Sequence, residues 1–186
     1  MQNVSHQGKR EVNMYPEEYI QYLVHFHADR DYFECHEVLE EYWKEADPRN
    51  KDSVWVGLIL FAVSAYHHRR GNFKGAERTL RKSRSILDKV PLQLKELGIS
   101  AREFTLLISG RLEGIAKGEP YSSPFIPLAD HELASLCIRT AESLGLVWGS
   151  PSDLSDRMLI HRHSMRDRTD VILERKAAWD ARNDTE

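Results

Sequence analysis

The run Tyr32–Glu45 (YFECHEVLEEYWKE) places a histidine among carboxylates at helical spacing. At about 100° per residue, Leu39 and Trp43 fall on the same side as His36, and Glu40 lies about 40° the other way. His36 is therefore at the edge of an apolar stripe, with Glu40 one turn on and Glu37 beside it. The spacing H-E-x-x-E resembles the metalloprotease pattern H-E-x-x-H, in which two histidines one turn apart hold zinc and the glutamate is the general base. Glu40 stands here in place of the second histidine. A histidine and a carboxylate at i, i+4 still chelate a divalent metal, but a catalytic zinc has three protein ligands. The third is sought at His67 or His163. In this reading His36, Glu40 and His67 are ligands, and Glu37 deprotonates a metal-bound water. The plainer reading makes His36 a half-buried histidine bonded to Glu40 or to a neighbouring helix, with Glu37 and Glu41 on a solvated face.

Two basic clusters accompany this run. His67-His68-Arg69-Arg70 closes an apolar segment, where cations favour the negative end of a helix dipole. His67 continues that segment and is expected to point at the His36 helix. The second cluster, His161–Arg168, precedes a final helix. There His163, Arg166 and Arg168, with free backbone N–H groups, suit a phosphate or carboxylate. Alternatively, Arg166 and Arg168 clamp the carboxylates of the His36 helix. If the clusters meet, His36, Glu37, Glu40, Trp43, His67, His163, Arg166 and Arg168 line one polar pocket, where perturbed pKa values are expected. Cys35 lies on the apolar stripe and reads as inert packing. Gly-rich phosphate loops and G-x-S-x-G are absent.

The elements that must position these residues read as helices. Pro16 with Glu17 and Glu18 opens the first, with Tyr19, Tyr22, Leu23 and Phe26 as its stripe to about Asp29. Asp31 with Glu34 starts the second, whose stripe is Tyr32, Cys35, Leu39, Tyr42, Trp43 and Ala46; Asp47-Pro48 stops it. Asp52 or Ser53 caps a third, apolar on every side from Val54 to Val63 and hence buried, running to about Arg70. Gly71 and Asn72 make a tight turn into a fourth, with Ala76, Leu80, Ser83 and Leu87 inward, ending near Pro91. Ser100 with Glu103 caps a fifth to Gly118, and Asp130 caps a sixth to about Ser143. Residues 118–128 (GEPYSSPFIPL) hold three prolines and form an extended strap. A last helix is expected from about Arg166 to Ala181. No strand pattern is evident, so the class is all-α: a multi-helix bundle around a central buried helix. Residues 14–117 are its core, and 118–186 are a strap and helices packed on it.

The chain has 186 residues, enough to bury a core without disulfides or metal. Hydrophobic residues are 41% and charged residues 30%, which excludes general disorder. A net charge of -3 gives no electrostatic footprint for nucleic acid, and Cys35 and Cys137 are the only cysteines. No signal peptide or apolar run of membrane-spanning length is seen, so a cytoplasmic location with no membrane partner is expected. Residues 1–13 lack periodicity and read as a disordered leader. Arg10-Glu11-Val12 is encodable as AGG-GAG-GTG, a bacterial ribosome-binding sequence just upstream of a Met14 codon, so translation is expected to begin at Met14. The intact mass of the native protein tests this.

The patterns YFECHEVLEEYWKE and WVGLILFAVSAYHHRRGNFKGAERTLRKS closely resemble the bacterial and archaeal family termed domain of unknown function 309, over about a third of the chain. Tyr15-Pro16 and the segment from His163 to Thr169 resemble its longer Bacillus-type members. The resemblance implies a compact helical bundle around the second, third and fourth helices, and no established activity. It also implies a signature at His36, Glu37, Glu40, Trp43, Gly57, His67, Gly71 and Ala76.

Three functions follow. One is a module whose polar groove, around His36, Glu37, Glu40 and His67, receives a partner protein or a small anionic ligand; exposed aromatics of the first helix also offer a homodimer contact. Gly71-Asn72-Phe73, Ala76, Leu80 and Pro91 loosely resemble a tetratricopeptide unit, but no second copy follows at a ~34-residue period. The other two are the metal-dependent hydrolase and a structural network of mutually satisfied polar groups. Binding is preferred to catalysis. Hydrolysis requires His36 and His67 to converge, the structural network requires each to be paired and closed to solvent, and binding requires an open polar surface.

Overall fold

Four helix starts follow from short side chains that accept orphan N–H groups. In the computed structural model, which describes residues 14–162, Asp31 accepts from the Glu34 N–H and opens α2 (Tyr32–Ala46). Asn72 accepts from Gly75 and opens α4 (Phe73–Leu87). Asp130 accepts from Glu132 and Leu133 and opens α7 (His131–Ser143). Before α2 lies α1 (Glu17–Val24), which passes into a single widened π turn over His25–Asp29. Between α2 and α4 runs α3 (Val54–Arg69). The chain leaves it through Gly71 at φ +70°, with the N–H groups of Gly71 and Asn72 bonded back to the carbonyls of His68 and His67. Then come α5 (Pro91–Glu96) and α6 (Ala101–Ala116). Among the described residues the chain is all-α; its one β feature is an isolated antiparallel bridge between Ile99 and Leu128.

The residues divide into two compact units, the second beginning at Asp153. In the first, α3 is the central rod: Leu58, Phe61, Ala62 and Ala65 have essentially no exposed surface. It packs most extensively on α4 and also on α2, and α1 packs on α2. Gly57 lets α3 and α4 approach closely: a Cβ there would overlap the Leu87 side chain. Ser83 Oγ donates to the Gly57 carbonyl, and Ser64 Oγ to that of Ala76, across the same contact. A chain of rings, Tyr19, Tyr22, Phe26, Phe61 and Phe104, runs through the core at centroid spacings of 4.9–6.5 Å. The phenols of Tyr19 and Tyr22 donate to the carbonyls of Leu97 and Leu58, so burial leaves neither unsatisfied.

Residues 118–128 form the extended strap that their prolines require. It is sewn to the bundle by main-chain bonds from Ser100 to Pro127 and from Ala129 to Gly98, with Ile126 fully buried. Described by itself, the second unit contains α8 (Arg157–Ile160), capped by the Asp156 carboxylate.

Several local expectations are corrected. Pro91 opens a short helix, because proline suits a first turn as well as it ends a preceding element. Ser100 occupies the N-cap of α6 and Ser53 that of α3 without a side-chain cap bond. Ala46 is exposed, since α2 outruns the surface it packs on. Tyr19, Tyr22 and Phe26 are buried core, so they offer no surface to a second copy. Residues 1–13, and the expected helix from Arg166 to Ala181, lie outside the described residues.

Candidate functional site

Helix α2 buries Tyr32, Cys35 and Leu39, and this turns the next strip of its surface, carrying His36, Glu37 and Glu40, toward the edge of the bundle. The structure brings these three together: one ligand atom of each lies within 4.8 Å of the others. His36 Nδ1 is 3.1 Å from Glu37 Oε1, and Nε2 is 3.3 Å from Glu40 Oε2. The side chains are 34%, 34% and 33% exposed, so the group is open to solvent. Two carboxylates thus grip opposite nitrogens of one ring. Both are acceptors, so only a ring protonated at both nitrogens satisfies both contacts. The second oxygen of Glu40 is engaged by Lys44 Nζ at 3.2 Å, one further turn along.

The arrangement bears directly on metal chemistry. One ligand atom from each of the three residues lies close enough to the others for a divalent cation to span them. His67 does not complete the set, as it stands outside this group and its Nδ1 is 3.1 Å from Asn72 Nδ2. Trp43 lies one turn beyond Leu39, partly buried, and donates its indole N–H to the Asn50 carbonyl. His163, Arg166 and Arg168 lie outside the described residues. Cys35 is fully buried, with burial pushing its thiol well above the usual range, as suits packing rather than nucleophilic attack.

Sequence reasoning missed a second polar region, where α3 ends beneath the strap. His68 and Arg69 are buried. The His68 Nε2–H donates to the Glu119 carbonyl, and its Nδ1 accepts from Arg111 Nη2, which defines a neutral ring. Burial first, and then the neighbouring Arg111 charge, lower its pKa, against the bond to Glu119. Arg69 donates to the Arg30 carbonyl and to Ser152 Oγ, and its guanidinium lies 4.8 Å from the Tyr32 ring centroid. Tyr32 is fully buried and its hydroxyl meets that of Tyr121 at 2.6 Å. A signal for this region was present: a helix apolar all round is buried to its end, so basic residues in its last turn must find partners.

The sequence profile of the family described as domain of unknown function (DUF309) matches residues 19–79. That span holds His36, Glu37, Glu40, Trp43, His67, His68 and Arg69, and stops before Arg111 and the strap. The chain is similar to the uncharacterized protein YpuF of Bacillus subtilis (strain 168), at 45% identity over 163 residues, which is 88% of this chain and 94% of the relative. No solved structure matches.

Proposed function

The chain belongs to the DUF309 family, and from that premise we propose that it is a bacterial, cytoplasmic binding module whose docking point is the imidazole–carboxylate group of α2. The observation that carries this reading is the one-third exposure of His36, Glu37 and Glu40 as a linked set on one helix surface. Hydrolysis is disfavoured because His67 is turned to Asn72 and Glu37, the expected base, is bonded to His36. A purely structural network is disfavoured because ion pairs this exposed contribute only about 0–1 kcal/mol. Two carboxylates around one imidazole favour a cationic or hydrogen-bond-donating partner over a small anion at this point. Among the described residues no helix is long and apolar enough to cross a membrane.

The test is metal content and urea stability of the full chain beside His36→Ala, purified without chelator. Stability within about 0.5 kcal/mol of the parent, with no stoichiometric metal, supports binding. Near-stoichiometric metal lost in the variant redirects the assignment to hydrolysis. A loss above about 2 kcal/mol redirects it to the structural network.

A further inference from the structure

The structure points to a second binding site, remote in sequence from α2. A cleft of about 380 Å³ lies between α6 and the strap, lined by His68, Leu106, Leu107, Gly110, Arg111, Gly114, residues 119–120 and residues 122–125. Its walls are mixed, and two large hydrophobic side chains stand at it in water: Leu106 is 62% exposed and Phe125 46%. A volume of this size with few, convergent polar groups is what small-molecule sites present.

The cleft holds one carboxylate, that of Glu119 beside Gly114, and two donors away from it, Arg111 and Ser123. Arg111 has five N–H donors. One goes to the Ser122 carbonyl from Nη1 and one to His68 Nδ1 from Nη2, and the guanidinium lies 6.0 Å from the Tyr121 ring centroid. No carboxylate among the described residues comes within ion-pair range of it; that of Glu119 rests beside Gly114 instead. A cation held partly out of water without a counter-charge is costly unless an anion joins it. Burial accordingly lowers its pKa. The second donor is Ser123. Its half-buried Oγ accepts from the Tyr121 hydroxyl at 3.2 Å and from the Ser152 N–H at 2.9 Å, which leaves its own O–H as a donor.

We propose that this cleft binds a small monocarboxylate with an apolar body, its carboxylate on Arg111 and Ser123 and its body against Leu106, Leu107 and Phe125. A planar guanidinium fork matches a carboxylate in two parallel bonds. One cation with one hydroxyl suits a single negative charge, whereas a phosphate dianion asks for more.

Titration of the full chain with hexanoate, followed by the backbone amide NMR shifts of Gly110, Ser122, Ser123 and Phe125, tests this. Hexanamide is the uncharged control, and N-acetylleucine presents the same group as a chain terminus would. Binding of either acid is expected to be saturable and about tenfold or more weaker for the amide and for Arg111→Gln. Gly110→Leu extends into the cleft from a helical position where a Cβ meets nothing within 4 Å, and is expected to fold and to lose binding, with its urea unfolding read alongside. Response to hexanoate alone assigns a free acid, and response to N-acetylleucine alone assigns a chain end; both support the site. The proposal is overturned by equal response to hexanoate and hexanamide, by acid binding that neither variant weakens, or by the absence of saturable shifts with both acids.

Discussion

The Arg69 guanidinium donates from Nη1 to the main-chain carbonyl of Arg30 at 2.7 Å, and Arg30 is itself buried, at φ +59°. The two arginines turn a sharp corner between the π turn and α2 into a fixed point. From it Arg30 reaches the carbonyls of Ser150, Phe26 and Pro124 at 2.7, 2.8 and 2.7 Å. One side chain therefore ties the strap and the segment after α7 to the start of α2.

Arg30→Ala is expected to lower stability by about 3 kcal/mol or more, because it strands several buried carbonyls at once. Urea denaturation measures the loss. Hydrogen exchange is expected to rise most at residues 122–126 and 148–151. A uniform rise across all helices would show that Arg30 does not hold these segments in particular.

His27 has no exposed surface, and neither ring nitrogen has a hydrogen-bond partner among the described residues. It is enclosed by Phe26, Phe125 and Trp148 at centroid distances of 5.2, 4.2 and 4.5 Å. Burial first, and then the Arg30 charge, depress its pKa to about 3. The unfolded chain takes up this proton near pH 6.5 and the folded chain only near 3. Between these values the unfolded state binds more protons, so the neutral ring's contribution is complete above about pH 6.5 and is lost as pH falls toward 3. That loss amounts to several kcal/mol, on the order of 1.4 per pH unit. His27→Phe is expected to raise stability at pH 7 by about 1 kcal/mol and to widen its lead at pH 4. A lead that stays constant across these pH values would remove His27 from the acid response.

Gly57 and Gly110 both lie within helices and are expected to respond oppositely to alanine. At Gly110 the space is open, so Gly110→Ala should stabilise by about 0.5–1 kcal/mol through helix propensity. At Gly57 the new methyl meets the buried Leu87, and overpacking costs about 1–3 kcal/mol against the same gain. Thermal or urea unfolding of each variant reads the sign. Leu87→Ala should cost less in the Gly57→Ala background than in the parent, since the cavity then receives the methyl. Additivity of the two changes would mean that they do not meet.

Much of the fold was legible because its signals are local. Asp31, Asn72 and Asp130 are short acceptors placed two or three residues ahead of an orphan N–H, and each caps the helix it precedes. The burial of α3 followed from the lack of a polar face between Val54 and Val63. The caps at Ser53 and Ser100 failed on the same ground, since the residue type permits the bond without compelling the hydroxyl to turn. The His36–Glu40 pair was legible for a related reason: residues four apart on a helix are neighbours on its surface. The Glu37 contact, by contrast, joins adjacent residues that diverge by about 100° and depends on side-chain rotamers.

The sequence by itself determined that this chain forms helices, where most of them begin, which helix is innermost, and that the His36 imidazole has a carboxylate, Glu40, one turn on. These depend on spacings of four residues or fewer, over which backbone geometry alone sets proximity. Tertiary structure alone decided that His67 turns to Asn72, that the aromatic residues of α1 are core, and that Arg30, Arg69 and Arg111 are held beneath a strap. The bonds from Arg69 to Arg30 and from Arg30 to Ser150 join residues 39 and 120 positions apart. Their partners are main-chain carbonyls, which every residue carries, so no residue type marks them; only the path of the chain brings them to a guanidinium.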